Sequence, residues 1–307
     1  MVESKSIFHR LWIYQGERFP LIKVLPLLAA FVLAGHMVTS AALQDQLFDL
    51  QRFFIGFALV VIIFFQMRVC DEIKDFSDDL AYRPERPIPR GLVGLREIIG
   101  LGLITVPIAA GLAVLWGQGL IWLLLLVWIW LFAMTFEFGA PEWLKAHPLT
   151  YLLSHMVIMP LLALMLTGMI WQSHSVIPMS VILFLALTFF NGSILEIGRK
   201  LLTKENEREG VDTYSKLWGR RAGVLAWLTC IGFSSLILLA IGWVIQTFLP
   251  MAVFGIVMFG ICIRAGWAYA TSPNDRTQGY VDTLSAIWVL FSYVSLAFVP
   301  LVWGAVQ

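Results

Sequence analysis

Residues 71–91 read DEIKDFSDDLAYRPERPIPRG, directly after an apolar run from 53 to 70. Asp71, Asp75 and Asp79 recur at i, i+4 and i+8. On an α-helix each four-residue step turns such a stripe by only about 40° and climbs about 6 Å. The spacing predicts three carboxylates on one helical face at the membrane surface, repelling one another unless a cation sits between them. A divalent cation carrying a phosphorylated ligand meets that need. Beyond the stripe, Pro84, Pro87 and Pro89 forbid a continuing helix and impose a stiff extended path, and Gly91 lets the chain turn. Arg83, Arg86 and Arg90 are thereby held near the carboxylates. Acids that hold a metal, beside arginines that grip oxygens bidentately, suit a diphosphate.

The 307 residues are 59% hydrophobic and 13% charged, the balance of a polytopic membrane protein and not of a soluble domain. A net charge of +1 without any basic tract points away from nucleic acid, and no protein partner is expected. Cys70, Cys230 and Cys262 have neither metal-ligand spacing nor an even count, and read as small core residues. No signal peptide is read at the N-terminus. Residues 5–19 mix aromatics with Lys5, Arg10 and Arg18, which predicts an amphipathic helix lying in the interface. The expected organisation is an interfacial N-terminal arm over 1–20 and a single transmembrane catalytic domain over 21–307.

Apolar windows long enough to cross a bilayer fall near 21–43, 53–70, 97–116, 119–138, 150–171, 176–196, 222–246, 249–271 and 281–304. Numbering the faces alternately from a cytoplasmic N-terminus places every Lys and Arg on the inner face except Arg52. Adding or deleting one span would scramble that pattern. The chain is therefore expected in a bacterial inner membrane, N-terminus cytoplasmic and C-terminus outside. Of the acids, only Asp45 and Asp49 fall outside. The long inner loops 71–96 and 197–221 hold most of the carboxylates and most of the cations; solubilising loops would be charged too, but without ordered spacing.

The string 71–91 resembles the first motif of the UbiA superfamily of intramembrane prenyltransferases. That motif runs Asn/Asp-x3-Asp-x3-Asp, then Arg/Lys-Pro-x-Arg-Pro-Ile/Leu-Pro-x-Gly. The match is position for position, with Asp71 standing where Asn is usual. The resemblance implies an all-α fold of nine transmembrane helices around a central cavity, with both acidic motifs on the cytoplasmic side after helices two and six. It also implies Mg²⁺ as cofactor, a prenyl diphosphate as substrate, and a lipophilic or aromatic small molecule or lipid as acceptor.

The second motif of that family resembles D-x2-D-x3-D-x3-G-x2-T-x5-G, and here only its tail fits, as Gly210, Thr213 and Gly219. Counting back, the three expected aspartates fall on Arg199, Leu202 and Asn206. A helix over NGSILEIGRKLLTK places Glu196, Lys200 and Lys204 on one stripe with Arg199 beside them, a mixed face. Two arrangements remain open. Either Glu196 and Glu207 hold a second metal, or Arg199 and Lys200 contact phosphate directly and replace one metal's charge. A salt-bridged surface helix, worth about 0.3–0.5 kcal/mol per pair, is the plain alternative.

Ionisable groups at membrane depth are costly and therefore candidate site residues. Glu137 lies near the inner end of span four. Lys145, in the next loop, resembles a basic residue that the family often keeps there for phosphate. Arg264, Asp282 and Tyr214 are candidate cavity residues, with Asp282 a possible partner of Arg276 or Arg264. His36 and His155 read first as hydrogen-bonded packing.

The expected enzyme holds Mg²⁺ on Asp71, Asp75 and Asp79, with Arg83, Arg86, Lys145, Arg199 and Lys200 neutralising the departing diphosphate. Ionisation of the allylic C–O bond then yields a carbocation in a dry cavity for an acceptor to capture. A membrane terpene cyclase of the same family needs no acceptor. An anionic-lipid transporter is the rival from another class, disfavoured by nine spans without inverted halves and by charge confined to one face.

Overall fold

A computed structural model describes residues 6–46 and 48–303, so Lys5, the first five residues of the expected arm and the last residue of the expected ninth span lie outside the described residues. Every regular element among the described residues is helical: α1 (Ile7–Arg18), α2 (Leu21–Leu43), α3 (Leu50–Lys74), α4 (Phe76–Tyr82), α5 (Leu95–Trp116), α6 (Leu120–Thr135) and α7 (Pro141–Ala146). Then follow α8 (Pro148–Met156), α9 (Ile158–His174), α10 (Met179–Arg199), α11 (Tyr214–Leu217), α12 (Arg220–Val244), α13 (Phe248–Thr271) and α14 (Asp275–Trp303).

Eight helical segments are long and apolar enough to cross a membrane, with α8 and α9 forming one of them across a kink at Val157. The predicted fourth span is the exception. As α6 it has 16 residues, about 24 Å at the α-helical rise and short of a bilayer's hydrocarbon thickness of about 30 Å. Glu137, Phe138 and Gly139 follow it with φ of 49°, 54° and 73°, in the left-handed region. Two non-glycine residues there are strained, and irregular backbone at membrane depth is tolerated where protein or a cavity covers it. This stretch forms one wall of the cavity described below.

The helices divide into a packed half and an open half. In the packed half, α10 lies against α12, and α14 lies against α2, α10 and α13. Trp227, Trp288, Tyr293, Phe31 and Phe184 are fully enclosed there. A hydrogen-bonded seam ties these helices together. Ser234 donates to Asn191 Oδ1 at 2.8 Å, Asn191 to Ser292 Oγ at 3.0 Å, and the Trp288 indole to Ser234 Oγ at 3.0 Å. Each polar atom so paired avoids the cost of standing bare in an apolar interior. Arg52, at the end opposite the charged loops, is neutralised by Asp45 at 3.2 Å and donates to Ser40 Oγ at 3.2 Å.

The N-terminal helix is tied to the charged end of the bundle. Arg10 pairs with Glu97 at 3.0 Å, Arg18 with Glu72 at 2.7 Å, and Glu17 with Arg90 at 2.8 Å. Phe8 and Trp12 remain exposed on its other face, as an interfacial helix requires.

Candidate active site

The open half holds one large cavity of about 460 Å³ at the charged end. Its walls come from α3, α4, the end of α6, α7, α8, α10 and the 210–217 segment. Eight Lys and Arg side chains and six carboxylates line it, above an apolar floor that includes Met67, Met134, Leu152, Met156 and Ile158.

The first predicted motif is split in two by the structure. α3 stops at Lys74 and α4 starts at Phe76, although the backbone bonds from Asp75 to Asp71 and from Asp79 to Asp75 continue at 2.9 and 2.8 Å. Asp71 and Asp75 line the cavity. Asp71 pairs with Arg68 at 3.0 Å, whereas Asp75 carries no side-chain hydrogen bond or ion pair among the described residues. Burial, and then the negative charge of Asp71, push the Asp75 carboxyl above the usual carboxylate range.

Asp79 departs from the expected three-carboxylate set. It does not line the cavity; it is buried among arginines, accepting from Arg86 at 2.6 Å and Arg83 at 3.0 Å, with Arg18 at 3.9 Å. Eight helical residues rotate a position by about 80°, so the third carboxylate has already drifted off the first one's face. Its place at the rim is taken by Asp78. Among the described residues no group of three or more His, Cys, Asp or Glu side chains comes together as a metal site. Asp79 instead fixes Arg83 and Arg86 where both reach the cavity. Arg90, expected beside the stripe, turns away to Glu17.

The second motif also divides. Glu196, Arg199, Lys200 and Tyr214 line the cavity. Both oxygens of Glu196 are engaged, one by Arg199 Nε at 2.7 Å and the other by Lys200 at 2.8 Å. Tyr214 is largely buried, and that burial, followed by the charge of Glu196, raises its pKa and keeps it protonated. Glu207, expected as a metal ligand, is elsewhere: its Oε1 accepts from Ser215 at 2.7 Å and Thr213 at 3.2 Å, and it does not line the cavity. The matching tail is a loop scaffold. Gly210 has φ of 71° and lies under the Tyr82 ring, where a Cβ would come within 2.5 Å. Thr213 caps α11 by accepting from the Lys216 N–H at 3.2 Å, and Gly219 has φ of 78° at the start of α12. An exposed ion pair between Arg208 and Glu85 joins the two loops.

Lys145 lines the cavity, exposed and without an ion pair among the described residues. His155 lines it as well, while His36 is buried away from it. Arg264 and Asp282 do not belong to the site. Both are exposed, neither lines the cavity, and no ion pair joins Asp282 to Arg264 or Arg276. The expectation assumed a cavity shared by all helices, but large aromatic side chains close the α12–α14 half.

Five charged lining residues were not singled out as site candidates in the sequence, among them Arg68, which pairs with Asp71. Arg18 enters from α1, Lys74 is held by Glu137 at 2.8 Å and by the Tyr151 hydroxyl, and Asp78 and Asp212 stand at the rim. Asp78 had a signal in its adjacency to Asp79, and Asp212 in its place within the GVDT turn. Arg18 had none, since only folding brings α1 to this end.

Both acid-bearing loops thus meet over one cavity in an all-helical membrane protein, and a family comparison decides what that means. The model of the UbiA prenyltransferase family matches residues 24–262. The chain belongs to the UbiA prenyltransferase family. It is accordingly an integral membrane enzyme of the prenyltransferase class, and the transporter alternative falls. No curated protein matches the chain. A solved structure similar in fold is the apo form of a UbiA homolog from Aeropyrum pernix K1, with a TM-score of 0.68 and 15% identity over 87% of this chain and 96% of that one. Another is a digeranylgeranylglyceryl phosphate synthase, with a TM-score of 0.63 and 15% identity over 94% of this chain and 99% of that one.

Proposed function

We propose that this UbiA family member is a Mg²⁺-dependent intramembrane prenyltransferase that ionises a prenyl diphosphate and passes the prenyl group to a lipophilic or aromatic acceptor. The observation that carries this reading is Asp75, a half-buried carboxylate beside Asp71 and without a partner among the described residues, facing a wall of arginines and lysines in one cavity. That donor set fits a divalent cation, because two carboxylates one turn apart gain from a shared positive charge. Asp71 and Asp75 would hold the ion, with Asp78 and Asp212 within the same rim. When bound, the ion supplies Lewis-acid neutralisation of diphosphate oxygens.

The chain's own residues do the rest. Arg83 and Arg86, steadied by Asp79, and Lys145 offer donors to the diphosphate. Arg199 and Lys200, already bound to Glu196, add positive charge on the facing wall, which favours direct phosphate contact over a second metal. Tyr214 keeps its proton and can donate it in a hydrogen bond. As the allylic C–O bond breaks, its electron pair leaves with the diphosphate, and these groups stabilise that charge. The apolar floor keeps water from the carbocation until an acceptor attacks. The charged end is assigned to the cytoplasm, with the N-terminus there and the C-terminus opposite, in a bacterial inner membrane.

The test is to incubate purified protein with geranyl, farnesyl and geranylgeranyl diphosphates and Mg²⁺, with and without candidate acceptors, and to identify products by mass spectrometry. Metal-dependent diphosphate release and a prenylated acceptor are expected. Release of a hydrocarbon or alcohol without acceptor would make the protein a cyclase, and no release from any substrate would overturn the reading.

A further inference from the structure

We infer that Met156, seated against Gly192, gauges the isoprenoid tail and makes the protein select geranyl and farnesyl over geranylgeranyl diphosphate; the inference rests on the prenyl-diphosphate reading above. The cavity is polar at its charged end and apolar at depth, where Met67, Met134, Leu152, Met156 and Ile158 form the lining. Met67 lies eight residues before Asp75 on α3, about 12 Å deeper along a helix. Below that level the bundle is packed, with Ile63 and Leu162 fully buried and Leu131 nearly so. A cavity of about 460 Å³ must hold the diphosphate as well as the tail, so the floor meets a long tail first.

Met156 ends α8 and reaches α10 at Gly192, one turn deeper than Glu196. A Cβ at Gly192 would stand 3.1 Å from Met156 Sδ and 2.9 Å from Met159 Cγ. The missing side chain at 192 is therefore what allows Met156 to lie back against α10. An added methyl presses on both Met159 and the flexible Met156 thioether, and of the two only Met156 lines the cavity, so its displacement narrows that space. Truncating Met156 deepens the same space. The two residues act in opposite directions on one dimension.

The experiment measures the affinities of the full-length protein for geranyl, farnesyl and geranylgeranyl diphosphate with Mg²⁺, using inorganic diphosphate as the tail-free reference. Met156→Ala is expected to raise the affinity for geranylgeranyl relative to geranyl diphosphate by about tenfold. Gly192→Ala is expected to weaken farnesyl diphosphate by about tenfold while geranyl diphosphate changes little, in line with the discrimination that small volume changes give in apolar pockets. Unchanged affinity for inorganic diphosphate shows that each variant has folded with its charged end intact. If the three prenyl diphosphates bind equally and both variants keep that pattern, the tail leaves the cavity sideways and the gauge is refuted. If none binds more tightly than inorganic diphosphate, the prenyl-diphosphate reading itself fails.

Discussion

The two loops at the charged end carry similar residue types and use them differently. In the first, Asp79 is locked under Arg83 and Arg86, while Asp75 stands in the cavity unpaired among the described residues. In the second, Glu196 is held on both oxygens by Arg199 and Lys200, and Glu207 serves the loop's own hydroxyls. One loop thus presents a bare anionic position, and the other a wall whose carboxylate is already neutralised. A single cavity consequently has one side with an open carboxylate and one side whose carboxylate is satisfied, where two matched acidic loops would have made both sides alike.

That contrast breaks most sharply at Asp75. Asp75→Asn is expected to lower turnover at least 100-fold, the scale set by losing one group that stabilises leaving-group charge, as measured by diphosphate release. The same substitution should not destabilise the metal-free protein. Burial and the Asp71 charge raise the folded pKa of Asp75 above about 3.9, the unfolded value for Asp. A raised acid contributes stability below the unfolded pKa and loses it as pH rises through the folded pKa. With a chelator present, melting temperatures from pH 4 to 8 should fall more for the native chain than for Asp75→Asn. A variant that melts lower at every pH would show that Asp75 is a packing residue.

Asp79→Asn should produce the opposite pairing of effects. Removing the charge leaves the half-buried Arg83 and Arg86 without a counter-ion, a change that costs about 1–2 kcal/mol and should appear in denaturant unfolding. Its loss of turnover should follow from misplaced arginines, and so raise KM more than the Mg²⁺ needed for half-maximal rate. A large rise in that Mg²⁺ requirement would return Asp79 to the metal.

In the second loop, Glu196→Gln is expected to lower turnover about tenfold by loosening Arg199 and Lys200, with the Mg²⁺ requirement unchanged. A strongly increased requirement would revive the second-metal arrangement. The smallest change is expected from Glu207→Ala, which removes two hydroxyl hydrogen bonds worth about 1 kcal/mol each. Its turnover should stay within about threefold of the native chain, and a loss approaching that of Asp75→Asn would erase the difference between the loops.

Local regularity explains what was legible. The apolar windows and the one-sided Lys and Arg pattern predicted the membrane helices, because hydrocarbon thickness and charge exclusion act on each segment separately. The fourth window reads a few residues too long, since its apolar run gives no sign of the left-handed break at Glu137 and Phe138 that ends α6 at Thr135. Asp71 and Asp75 were readable because one helical turn joins them. Asp79 was not, because its three arginines come from α1 and from the proline-rich loop, whose positions depend on the assembled bundle.

The sequence alone determined a membrane-spanning helical bundle, the end at which its charge collects, and two carboxylates one helical turn apart. Those properties arise from residues near one another along the chain. Only the tertiary structure decided that Asp79 and Glu207 are supports and not cavity groups, that Arg264 and Asp282 stand outside, and that Arg18, Arg68, Lys74, Asp78 and Asp212 join the lining. A charged side chain's role depends on which opposite charge reaches it first, and that is settled by packing between segments far apart in sequence.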